Sequence, residues 1–500
     1  MHLILLFLVH GLLVQDPAAP DPAARAVHPI DRVFERFWRS RGAVPAAPCS
    51  DAEFQRRVTL DLVGRLPTPA ELLRYSAGDP PGRRDAWVRE LLDSREFPPF
   101  WGERLASIML GYPRGDFIGV PFKPLLSRWI AACLEQGKGY DEIVGELVRT
   151  GSGQMPPQQG AGAVYPTFAT ILLNEDGRGD RFEGLLGRTA RIFLGVSLQC
   201  AQCHDHPRDR WTREDFQGML GFYAKVASPG RAPGESPRVF AAPVFLDGST
   251  PREGYRRTSE LARLIVRPEN VRFSRTAANR FWAHFLGWGV IEPLDDLADG
   301  KTPAVPGLLE ELGANFAREG FHLKAFFRLL VSSRIYQLSS RSDGTVKTTS
   351  FERARIRPLS PEQLFGAIQS ATEPRWTGKD LEKLRSDFIR MIARTSNADA
   401  TSGSDYTAGI QQVLKLSDTE APFFAGAKAG GGGRLDRILE RKLAPEETIR
   451  EIYLAVLSRP PDAQELSRCL RHAGESADAG TAFSELFWAL LSSNEFYFNH

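Results

Sequence analysis

Cysteine, methionine and histidine are scarce in this chain, at 5, 5 and 9 of 500 residues. Cys49, Cys133 and Cys469 stand alone in the sequence, so no disulfide framework can organise the fold. Charge of one sign is also missing, because 63 Lys and Arg oppose 61 Asp and Glu for a formal net charge of +2. That balance gives no ground for a nucleic-acid partner or an anionic membrane surface. Long hydrophobic runs are absent apart from Leu3 to Val14, which is shorter than the ~20 residues that span a bilayer. Strand-like alternation is confined to pieces such as Arg238 to Leu246. Nucleophile elbows, zinc-protease motifs and phosphate loops are missing too, since Gly430 to Gly433 lack a following Lys-Ser/Thr.

What is present reads as an exported, mainly α-helical protein. The apolar block at the N-terminus and the Pro/Ala-rich spacer after it, together residues 1–24, fit a secretory signal, leaving no membrane span once it is removed. Apolar residues at helical spacing predict helices over Asp51 to Val63, Arg83 to Asp93, Leu125 to Gln136, Asp141 to Arg149, Gly187 to Gln199 and Asp215 to Ala224. Thr68-Pro69-Ala70-Glu71, Ser360-Pro361-Glu362-Gln363 and Asp462-Ala463-Gln464-Glu465 carry capping-box signatures. Composition divides the chain into two helical domains, 28–227 and 254–500, joined by a linker over 228–253 with short strand pieces near it. The two ends also echo each other. Leu60, Arg65, Pro67, Glu71 and Leu72 recur as Leu454, Arg459, Pro461, Glu465 and Leu466, and Leu91 to Phe97 recurs as Leu490 to Phe496.

The chemistry concentrates in Cys200-Ala201-Gln202-Cys203-His204. C-x-x-C-H is the spacing at which two thiols join a haem's vinyl groups while the histidine ligates iron. In that reading haem c is held by Cys200, Cys203 and His204. The apolar helix Thr189 to Leu198 would form a dry wall, and Met155 in the preceding Met-Pro loop is a candidate sixth ligand. Zn held by Cys200, Cys203, His204 and His206 is an alternative, and so is a Cys200–Cys203 disulfide. A second polar cluster follows Asn279, where Arg280 and His284 fall four apart on one helix face. With Asp295 and Asp296, His284 forms the only hint of acid/base catalysis, as in a polysaccharide hydrolase.

The segments Phe54 to Thr68 and Phe193 to Pro207, the latter containing the motif, resemble the planctomycete cytochrome-c-like domain of unknown function. Ala278-Asn279-Arg280-Phe281-Trp282-Ala283-His284, Gly320-Phe321-His322-Leu323-Lys324 and the ending Ser493 to His500 are similar to its usual C-terminal partner domain, also of unknown function. The resemblance implies a large periplasmic or extracellular protein of a family often joined to cytochrome-like or carbohydrate-binding modules. On these readings the chain is a haem protein for electron transfer or for redox chemistry in polysaccharide breakdown, meeting a redox partner or polysaccharide. The competing class is a non-redox scaffold or binding protein with a structural metal or disulfide at the same residues.

Overall fold

A computed structural model of the protein describes residues 28–78, 82–111, 122–149, 181–207, 209–223, 241–341, 351–374, 378–394 and 422–500. The signal-like segment, Met155 and half of the 228–253 linker lie outside them. Twenty α-helices and one two-stranded sheet are found among the described residues, so the chain is mainly α. No described helix is long and apolar enough to cross a membrane. The strands lie elsewhere than alternation suggested, because Arg357–Pro358 pairs antiparallel with Phe498–Asn499. Residues 241–246 are coil. Their amides find isolated acceptors instead of a neighbouring strand: Val244 N donates to Gly218 O at 3.1 Å and Phe245 N to Ser249 O at 2.8 Å.

The capping chemistry forms as its sequence requires. Thr68, Ser360 and Asp462 accept from the amides of Glu71, Gln363 and Glu465 at 3.2, 3.2 and 2.7 Å. Those three side chains return to the cap amides at 2.8, 3.0 and 2.8 Å. The echo between the two ends is structural as well. Helices Asp51–Val63, Pro69–Ala77 and Arg83–Asp93 have their counterparts, in the same order, in Pro445–Leu457, Ala463–Glu475 and Ala479–Leu491. Each unit is locked by one arginine. Arg65 bonds Glu71 at 2.8 and 2.9 Å and Glu96 at 2.7 Å twice. Arg459 bonds Glu465 at 2.7 and 2.8 Å and Glu495 at 2.6 and 2.7 Å. A planar guanidinium serving two carboxylates on two edges explains why this set of one Arg and two Glu recurs in both units.

The apolar core does not divide at the 228–253 linker. One cluster runs from Ile30 to Phe351 and draws on helices before and after that segment. At its centre Trp101 lies against Phe327 with ring centroids 4.2 Å apart and against His284 at 4.8 Å. A second cluster joins Leu359 to Tyr497 with Leu60 and Leu66. The Asp51–Val63 helix supplies both, with Phe54, Val58 and Leu62 to the first and Leu60 to the second.

Because it lies between two cores, this helix buries its polar face too. Glu53, Gln55, Arg56, Arg57, Thr59 and Asp61 are all buried, and each must find partners there. Arg56 donates to Val456 O, Glu495 O and Phe496 O at 3.1 to 3.2 Å. Arg57 donates to Tyr336 O, Leu338 O and His500 O and pairs with Glu53 at 2.6 Å. Asp61 accepts from Tyr336 Oη and Asn499 Nδ2, both at 2.8 Å, and from Arg357. Arg450 occupies the position in the second unit that matches Arg56, but it is exposed and pairs only with Glu446 along its own helix. Arg56→Ala is therefore expected to destabilise the protein by about 3 kcal/mol or more, and Arg450→Ala by no more than about 0.5 kcal/mol. Urea denaturation midpoints of the two variants check this, and equal shifts would contradict it.

Candidate functional site

The expected helix through the motif region breaks early. Arg181–Thr189 is α-helical, Ala190–Leu194 continues as a π-helical turn, and Gly195 closes it in the left-handed region at φ 62°. A side chain at Gly195 would meet Thr276 Oγ1 at 2.7 Å and a methyl-bearing carbon of Leu297 at 2.8 Å, so only glycine fits. Ile192, Phe193, Leu194, Val196 and Leu198 are buried in the main core. The Thr189 to Leu198 segment is thus neither one helix nor a wall reserved for the motif.

The motif occupies a separate 3₁₀ turn, Gln199–Gln202, whose residue Ala201 is its buried anchor. Cys200 lies inside this turn and Cys203 is the residue that closes it. Both cysteines are exposed and neither is joined in a disulfide. His204 is exposed, and its Nδ1 lies 2.7 Å from Asp205 O. A carbonyl only accepts, so Nδ1 carries the proton and Nε2 is the nitrogen left for a ligand. Asp205 Oδ1 accepts from Arg213 N at 3.0 Å, and His206 N donates to Trp211 O at 2.8 Å. These bonds dock the turn on the capped start of the Arg213–Leu220 helix, where Thr212 and Asp215 form a capping box. Trp211 is buried beneath the guanidiniums of Arg210 and Arg272, at 4.5 and 5.1 Å from its ring.

Two exposed thiols three residues apart and a histidine oriented through Nδ1 fit covalent attachment and axial ligation of haem. The zinc set fits less well. Among the described residues no three His, Cys, Asp or Glu side chains gather as a metal site, so Cys200, Cys203, His204 and His206 do not converge on one ion. Adjacency of Cys203 and His204 is the physical reason, with the imidazole turned to its own neighbour's carbonyl.

The second cluster forms, but not as an acid/base pair. Arg280, His284, Trp288 and Glu292 line a cavity of about 100 Å³ with Arg104 and Ile108 of the Phe97–Leu110 helix. Asn279 fixes the turn behind it, accepting from Ile291 N at 3.0 Å and donating to Ile291 O at 2.8 Å. Asp295 is buried between Arg280 and Arg191, and Asp296 pairs with Lys301 at 2.7 Å. Both carboxylates are committed to cations. His284 Nε2 meets Asp61 O at 3.1 Å, and burial, then Arg104 and Arg357, hold its pKa well below the ordinary value. The hydrolase constellation is therefore not assembled. Arg104 was overlooked in the sequence because it lies about 180 residues upstream on another helix. In sequence it sits beside Glu103 on the Phe97–Leu110 helix, which carries no sign of a link to His284.

The neutral His284 has a thermodynamic consequence. The unfolded chain takes up its proton near pH 6.5 while the folded chain resists to lower pH, so this contribution to stability is full above pH 6.5 and lost as pH falls. Between pH 7.5 and 5.0 the wild type should lose more stability than His284→Gln, by at most about 1.4 kcal/mol per pH unit. Chemical denaturation at the two pH values measures the difference, and identical pH dependences would refute it.

Residues 29–228 match the family PSCyt2, described as a protein of unknown function (DUF1549), and residues 256–383 match PSD1, also described as a protein of unknown function (DUF1553). No curated protein and no solved structure matches the chain. The chain belongs to the architecture in which a PSCyt2 domain precedes a PSD1 domain, with the Cys200–His204 turn in the first and the Arg280–His284 helix in the second.

Proposed function

We propose that this is an exported c-type haem protein, in which Cys200 and Cys203 hold haem c covalently and His204 is its axial ligand, serving electron transfer or redox chemistry linked to polysaccharide breakdown. The observation that carries this reading is the turn itself: two free, exposed thiols three residues apart, followed by an imidazole whose Nδ1 is tied to Asp205 O. When bound, haem supplies a one-electron iron couple whose potential depends on its ligands and on burial. The chain's own part is to present and orient. Asp205, through its carbonyl and its bond to Arg213 N, fixes the ring and docks the turn on the helix. Nδ1–H donation to a carbonyl makes the opposite nitrogen a better donor to a metal. Exposure of both thiols and the ring leaves this edge open to a redox partner. Met155 as sixth ligand belongs to the same proposal.

Production in a host with cytochrome c maturation tests the proposal directly. Haem should stay with the polypeptide on a denaturing gel, give a c-type pyridine haemochrome, and be lost from the doubly substituted Cys200→Ser, Cys203→Ser chain. A chain that matures without covalent haem overturns it. In that case a Cys200–Cys203 disulfide found by thiol alkylation, or one zinc per chain by elemental analysis, would identify the scaffold reading instead.

A further inference from the structure

The 3₁₀ turn of the motif buries only Ala201, so its shape depends on what holds the chain on either side of it. Both flanks are held by the PSD1 domain. Arg272, Thr276 and Arg280 fall four apart along the Val271–Leu286 helix and share one face, and all three lead to the first domain. Upstream of the turn, Arg280 and Arg191 share Asp295. Thr276 lies too close to Gly195 for any Cβ there, and Leu297 N donates to Gly195 O at 2.8 Å. Downstream, Arg272 lies over the ring of Trp211, which also meets Arg210. Asp299 ties the two guanidiniums together, accepting from Arg272 Nη2 at 2.8 Å and lying 3.4 Å from Arg210 Nε.

Trp211 passes this hold to the histidine. Its carbonyl accepts from His206 N at 2.8 Å, and Arg213 N donates to Asp205 Oδ1 at 3.0 Å. Asp205 O in turn meets His204 Nδ1. We propose that the PSD1 domain is the clamp that sets the Cys200–His204 turn, with Arg272 the positioning residue that acts on His204 through Trp211. Trp211 is 2 % exposed, and a cation over a buried ring is held more firmly than an exposed ion pair. Arg272 therefore carries more of the hold than Asp299 does. The second domain thus has a part in whatever chemistry the turn performs. Only the consequence for haem rests on the haem reading: there, the axial ligand depends on both domains.

Hydrogen exchange of the full chain without haem, followed by mass spectrometry over residues 199–213, tests the clamp whether or not haem is ever attached. Arg272→Ala should speed exchange at the His206 and Arg213 amides about fivefold or more. Arg272→Lys, which restores a cation over the ring, should reverse most of the change, and Asp299→Ala should act in the same direction but less. Arg275→Ala is the control, since Arg275 pairs with Glu310 on the same helix and should leave the turn as it is. In the chain matured with haem, Arg272→Ala should also alter the Soret band, and Arg272→Lys should restore it. Thermal unfolding verifies that each variant is folded, and if Arg272→Ala is not, Asp299→Ala decides alone. Unchanged exchange over 199–213, an increase equally large in the Arg257–Val266 helix, no reversal by lysine, or an unaltered Soret band would overturn the proposal. A wild-type chain that takes no haem would sink the haem reading and leave the exchange result standing.

Discussion

Everything in this fold turns on the burial of one helix on all sides. Asp51–Val63 lies between two apolar cores and carries six polar side chains into the interior with it. Burying Arg56 and Arg57 is unfavourable unless their guanidinium donors are used. The backbone satisfies most of them: carbonyls at Tyr336, Leu338, Val456, Glu495, Phe496 and His500 converge on these two residues. The helix thereby fixes where distant segments must run, and the short sheet of Arg357–Pro358 with Phe498–Asn499 forms beside Asp61.

The local rules of the sequence predicted local structure well. Apolar spacing located the Asp51–Val63 and Arg83–Asp93 helices, and capping pairs located the starts at Thr68, Ser360 and Asp462, because a capping box needs only four neighbouring residues. The repeated Arg–Glu–Glu set was legible for a related reason. Its geometry is the same in both units, so its letters recur. The burial of Arg56 was not legible, since nothing near it in sequence distinguishes it from exposed Arg450 at the matched position. Only the segments that arrive from elsewhere make that difference.

The candidate sites divide along the same line. The cysteine spacing identified the turn, while Gly195 broke the helix that periodicity carried through it, because a left-handed glycine ends a helix whatever the apolar pattern beyond it. At Arg280 the four-residue spacing to His284 correctly placed two side chains on one cavity. Their chemistry came from residues of other elements. Arg191 and Arg280 pair with Asp295, and burial, then Arg104 and Arg357, suppress the charge of His284, so the acid/base that the sequence offered beside the Arg280 cation is a neutral ring in space.

The bond from Arg56 to Phe496 spans 440 residues, and this bears on the order of assembly during synthesis. The Asp51–Val63 helix is synthesised 400 to 440 residues before the carbonyls that satisfy Arg56. Until they arrive, its buried face must stay in water or be held by something else. The unit that holds this helix therefore cannot reach its final packing before its counterpart 400 residues downstream is made, and completion of the interior is a long-range event rather than a domain-by-domain one.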